Sequence, residues 1–127
     1  MQQISVQEKE IMQIIWDASD SRLTARDIEA RMAALDGKRR NLSSVMTVIA
    51  RLVDKGFLEP VKKFRQSTYY EALVREPEYK AYATKQFINT IHGGKLSGFV
   101  SMLLDSGQFT QQELEELRGM LDGGKRP

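Results

Sequence analysis

Apolar residues in this chain recur at helical spacing, with one short stretch of strand-like alternation between the helical runs. Ile11, Met12, Ile14, Ile15 and Trp16 form the first stripe. It is preceded by Ser5-x-x-Glu8, a capping box in which the serine oxygen takes an orphan backbone N–H and the glutamate reaches back to the cap. Thr24 and Asp27 repeat the box; Leu23 and Ile28 occupy the staple positions, and Ile28, Met32 and Leu35 continue the stripe. Thr110 and Glu113 make a third box, stapled by Phe109 and Leu114 and followed by Leu117 and Leu121. These signals predict helices over 5–19, 24–35 and 110–122.

A fourth helix is predicted between Asn41, a good N-cap, and Gly56, a good terminator. Leu42, Val45, Ile49 and Leu52 mark its core face, with Val48 beside them. At about 100° per residue the opposite face carries Ser43, Thr47, Ala50, Arg51 and Asp54, flanked by Ser44 and Met46. That face is small and hydroxylated, so it can enter a groove closely. After Gly56 the period changes. Segments 57–64 and 67–73, rich in Val, Phe, Thr and Tyr and joined by Arg65-Gln66, predict a β-hairpin. Pro60 cannot donate to a ladder, which makes the first of these an edge strand.

From Arg75 the chain becomes helical again. Glu76-Pro77 opens a helix with Tyr79, Tyr82, Ala83, Phe87, Ile88 and Ile91 as its apolar positions, ending at His92-Gly93-Gly94. A short helix over 95–105 carries Leu96, Phe99, Val100, Leu103 and Leu104. The expected division is therefore 1–74 and 75–127. A helical piece of about fifty residues is marginal as an isolated core, so its apolar stripes need a partner. That partner is a second copy of the chain or, alternatively, the first domain.

Composition narrows the chemistry. The 127 residues are 41% hydrophobic and 28% charged, as in ordinary globular proteins, and no apolar stretch is long enough to span a bilayer. The first residues do not read as a signal peptide, and the absence of cysteine suits a reducing cytoplasm while excluding disulfides and thiolate metal sites. His92 is the single histidine, without a nucleophile–base constellation, and reads as a cap or surface residue. No phosphate-binding glycine motif is present, so neither catalysis nor a cofactor is expected. The net charge is only +2, but 38–65 alone carries +6 through Lys38, Arg39, Arg40, Arg51, Lys55, Lys62, Lys63 and Arg65 against Asp54 and Glu59. Such a block fits a nucleic-acid surface, and equally a solvated face without a partner. Lysines at the hairpin tip would reach a phosphate backbone or merely blunt an exposed edge.

Helix, helix, helix and β-hairpin, with basic charge on the third helix and the hairpin tip, is the order of a winged helix-turn-helix, whose third helix enters the major groove. The fold class is thus mainly α with a small β-hairpin, the winged domain being followed by a helical dimerisation region. The run Ser5-Val-Gln-Glu-Lys-Glu-Ile-Met-Gln-Ile-Ile-Trp16 resembles the opening of the penicillinase-repressor (BlaI/MecI) family. Thr47-Val-Ile-Ala-Arg-Leu-Val-Asp-Lys-Gly-Phe-Leu58 resembles its recognition-helix segment, and Tyr69-Tyr70, Phe87, Gly93-Gly94 and Glu113-Leu-Glu-Glu-Leu-Arg118 also stand where the family has similar residues.

The resemblance implies a cytoplasmic, homodimeric transcriptional repressor bound to double-stranded operator DNA of dyad symmetry. Ser43, Ser44, Met46, Thr47 and Arg51 would contact DNA from the third helix, with Arg39, Arg40, Lys62, Lys63 and Arg65 on phosphates. Phe87, Ile91, Phe99, Val100, Leu103, Leu104, Leu114, Leu117 and Leu121 would form the dimer contact. In the antibiotic-resistance branch a membrane sensor-protease triggers cleavage in the dimerisation helices, and the aligned bond here is Met102-Leu103. Two departures are informative. Met46 replaces an arginine, exchanging guanine recognition for apolar contact, for instance with a thymine methyl. The cysteine clusters of the copper-responsive branch are missing, which excludes thiolate copper sensing. The rival reading is a winged-helix protein-interaction module, for which only Met46 is a large apolar residue on the outer face of 43–54.

Overall fold

The computed structural model describes residues 1–91 and 93–123, with Lys63, Phe64, Leu121 and Asp122 described as backbone only. Three helices, α1 (Val6–Asp17), α2 (Ala25–Asp36) and α3 (Leu42–Asp54), precede a hairpin of β2 (Leu58–Phe64) and β3 (Ser67–Ala72). A two-residue strand, β1 (Leu23–Thr24), joins the hairpin and gives an antiparallel sheet of order β1-β3-β2. This is a winged helix. Three helices follow: α4 (Glu76–Ile91), α5 (Leu96–Asp105) and α6 (Gln111–Gly123). His92, read from sequence as a cap or surface residue, lies outside the described residues.

Local chemistry fixes the helix ends. Ser5 and Glu8 exchange hydrogen bonds across the first turn of α1, as do Thr24 and Asp27 on α2 and Thr110 and Glu113 on α6. Asn41 caps α3 by accepting the Ser43 N–H at 2.8 Å. At its other end Gly56 takes φ +79°, a conformation that costs a side-chain-bearing residue. The Phe57 N–H then donates to Leu52 O and the Gly56 N–H to Val53 O, a Schellman closure. That closure turns the chain sharply from α3 into β2.

The core lies between α1, α2, α3 and the base of the hairpin. Ile11, Met12, Ile15, Ile28, Ile49, Leu52, Phe57 and Leu58 are all essentially inaccessible. β2 is an edge strand, as Pro60 requires, and the register slips between Pro60 and Lys62. Leu35 departs from its expected place in the stripe: it is 79% exposed, on the rim of a shallow groove beside Ile14 and Met32.

Packing divides the chain into two units, Met1–Ala83 and Thr84–Pro127. The break falls inside α4, not at the composition change near 74. Tyr79 belongs with the first unit, its ring 5.6 Å from Trp16 and 6.0 Å from Phe57. The indole of Trp16 donates to Val74 O at 3.0 Å, fastening the segment after β3 to α1. In the second unit Phe87 meets Phe99 edge-on at 5.9 Å.

Candidate nucleic-acid interface

α3 separates its residues cleanly. Val45, Ile49 and Leu52 are buried, whereas Ser43, Ser44, Met46, Thr47, Ala50, Arg51 and Asp54 are all exposed on the other face. The five residues expected to read DNA from this helix therefore share one accessible surface. Thr47 donates its hydroxyl to Ser43 O at 3.0 Å, which leaves its oxygen free to accept from outside. Arg51 forms no ion pair with any described residue, so its planar donor fork stays available for phosphate or a base edge. Met46 is 49% exposed and supplies the single large apolar side chain there.

The wing carries the second set of cations. Lys62 pairs with Tyr69 across the ladder and is exposed; Lys63 lies opposite Thr68 in the same register. Arg65 and Gln66 form a two-residue tip with φ +50° and +67°. Both residues sit in the left-handed region, as the tight hairpin turn matching strand twist demands, although neither is the glycine or asparagine that usually accepts it.

Arg39 and Arg40 are placed differently from the wing cations. The Arg39 guanidinium meets Glu29 Oε1 at 2.9 Å, and the Arg40 N–H donates to Glu29 Oε2 at 3.0 Å. The Arg40 side chain pairs with Asp36, the last residue of α2. Hydrogen bonding from that guanidinium, then from the Lys38 N–H, holds the Asp36 carboxyl below its ordinary range. Lys55 is also committed, to Glu8 at 2.7 Å. Counting these three carboxylate partners reduces the +6 of segment 38–65 to +3.

Sequence reasoning missed the two glutamates. Glu8 was visible as a capping residue and Glu29 as a residue flanking the Ile28–Met32 stripe. Their burial, at 1% and 4% exposure, accompanies contacts between elements, Glu8 with Lys55 at the end of α3 and Glu29 with Arg39 and Arg40 in the segment before it. No group of three or more His, Cys, Asp or Glu side chains among the described residues could hold a metal, and no described helix is long and apolar enough to cross a membrane.

The residues expected to dimerise fall in the second unit. Phe99, Val100, Leu103, Leu114 and Leu117 are half-buried within it, while Phe87, Ile91 and Leu104 stay 45–60% exposed. Val100, Leu104, Leu114 and Leu117 line a groove of about 340 Å³ between α5 and α6. Leu121 is in α6, its side chain outside the described set. Met102 and Leu103 lie within α5, where Met102 O accepts the Ser106 N–H at 3.0 Å.

Comparison with known proteins matches residues 4–123 to the family described as penicillinase repressor. The methicillin resistance regulatory protein MecI of Staphylococcus aureus strain N315 is 32% identical over 120 residues, covering 94% of each chain. The penicillinase repressor of Staphylococcus aureus is 26% identical over 122 residues, covering 94% of this chain and 91% of its own. Among solved structures, H. salinarum RosR superposes with a TM-score of 0.53 at 10% identity, over 97% of this chain and 94% of that one.

Proposed function

The chain belongs to the penicillinase repressor family, a family of transcriptional repressors and not of enzymes, and on that premise we propose that it acts as a homodimer on a dyad-symmetric, double-stranded operator. The observation that carries this reading is the outer face of α3: exposed, small, hydroxylated, and bearing an arginine that forms no ion pair with any described residue. A helix with that face can lie deep in a major groove, with Ser43, Ser44, Met46, Thr47 and Arg51 toward base edges and phosphates. Lys62, Lys63 and Arg65 reach the adjacent backbone from the wing, while Arg39 and Arg40 contribute less because carboxylates already engage them.

One winged domain makes few phosphate contacts. Tying two together raises the effective concentration of the second half-site, so the dimer interface becomes the control point. The exposed Phe87, Ile91 and Leu104 supply the surface for it. Release in the cytoplasm follows from disrupting this region, with cleavage of Met102-Leu103 after action of a membrane sensor-protease as the route. That bond lies in a helix, so α5 must unwind locally before a protease can take it.

Selection from a random duplex library with the full-length protein at two salt concentrations tests the reading. Enrichment of one palindrome with half-sites about one helical turn apart, and a steep loss of affinity with salt, is expected. Salt-sensitive binding without any enriched sequence would overturn it in favour of a protein-interaction module.

A further inference from the structure

Glu8 and Glu29 are the two buried charged side chains among the described residues, and each reaches one end of α3 from a different helix. At the N-terminal end, Glu29 of α2 accepts the N–H of Arg40, the residue just before the Asn41 cap, and takes the Arg39 guanidinium on its other oxygen. At the C-terminal end, Glu8 of α1 binds the ammonium of Lys55, the residue that closes α3, at 2.7 Å. The same ammonium donates to Gln3 O at 3.3 Å, so the segment before α1 is drawn into this contact.

We propose that Glu8 and Glu29 are positioning residues for operator recognition, a two-ended clamp that fixes the tilt and axial rotation of α3. This rests on the DNA-binding reading above. Apolar packing through Val45, Ile49 and Leu52 sets how deeply the helix sits, but hydrophobic burial is non-directional and tolerates small rotations. Charge-assisted hydrogen bonds are directional, and a pair placed at each end removes those rotations. Reading base edges requires side chains held to a fraction of an ångström; neutralising phosphates does not. The clamp therefore acts on selective binding and leaves general affinity for DNA alone.

The test measures the affinity of full-length protein for its selected palindrome and for a scrambled duplex of equal length, well below the melting temperature of each variant. Glu8→Gln and Glu29→Gln keep an acceptor for the backbone N–H groups and remove the charge. Each is expected to weaken palindrome binding about tenfold, on the order of one charged hydrogen bond. Scrambled-duplex binding should stay within about twofold, because removal of a carboxylate does not weaken phosphate contact. Should a single variant fail to fold, Glu8→Gln combined with Lys55→Met removes the pair without stranding a buried charge, and the same selective loss is expected. Equal losses on both duplexes would mean that the glutamates serve stability alone and would overturn the proposal, as would no loss on either. A wild type that prefers no palindrome overturns the repressor reading, and the clamp with it.

Discussion

The winged unit and the C-terminal unit bury apolar surface to very different degrees. Among the described residues of 1–83, twelve apolar side chains are buried between three helices and a sheet. In α4 and α5 no residue is fully buried, and Phe87, Ile91, Leu96, Met102 and Leu104 stay more than 40% exposed. The first unit can satisfy its hydrophobic stripes alone. The second displays its stripes in a single chain, as expected of a surface completed by another copy. In the repressor reading proposed above, association through the second unit would be switched while the first stays folded.

The sharpest way to break this contrast is inside the first core. Phe57 is inaccessible, and Phe57→Ala should cost roughly 3–5 kcal/mol, seen as a fall in the urea midpoint followed through the single tryptophan, Trp16. A midpoint left in place would mean that the core does not depend on the α3–β2 corner. Next comes Leu104→Glu. Leu104 is 56% exposed, so the charge should leave the helical signal of the free chain intact. In an assembled interface it would be buried without a partner and should weaken self-association by about 3 kcal/mol or more. Sedimentation showing an unchanged dimer at low micromolar concentration would remove Leu104 from the interface. Half-buried Leu103 is a less clean choice, because its replacement would also disturb the unit itself.

Two smaller effects refine the picture of the first unit. Gln66 holds φ +67°, and Gln66→Gly should relieve left-handed strain and stabilise by about 1 kcal/mol in thermal denaturation. A lower melting temperature would show that the side chain supports the tip. For Glu8, burial pushes the carboxyl upward, but the Lys55 ammonium and the Ser5 N–H and hydroxyl outweigh it, so the folded value lies below the ordinary 4.5. A lowered carboxylate contributes stability that is fully present above about pH 4.5 and is lost as pH falls through the folded value. Acid titration of stability should therefore be steeper below pH 4.5 in the wild type than in Glu8→Gln. Parallel curves would contradict the pairing.

What was legible in the sequence was mostly local. Three capping boxes, the Asn41 cap and the Gly56 closure were readable because each acts within about one helical turn, and each forms as expected. The outer face of α3 followed from periodicity alone. Features that depend on distant partners were hidden. β1 is only two residues long and is defined by its pairing with Tyr69 and Tyr70. Arg39 and Lys55 read as open positive charge in the sequence, although Glu29 and Glu8 lie beside them in the fold. Tyr79 looked like part of the C-terminal stripe, yet its ring completes the cluster with Trp16 and Phe57. At the wing tip, Arg65-Gln66 adopts the tight turn without its usual residues, since the ladder from Phe64 and Ser67 imposes the conformation.

In the proposed function the exposed C-terminal stripe joins two winged units for one operator. Sedimentation equilibrium of the full-length protein, alone and on a duplex carrying its selected palindrome, tests it most directly. A dimer at low micromolar concentration and two chains per duplex are expected. A monomer at that concentration, binding the duplex one chain at a time without cooperativity, would contradict it.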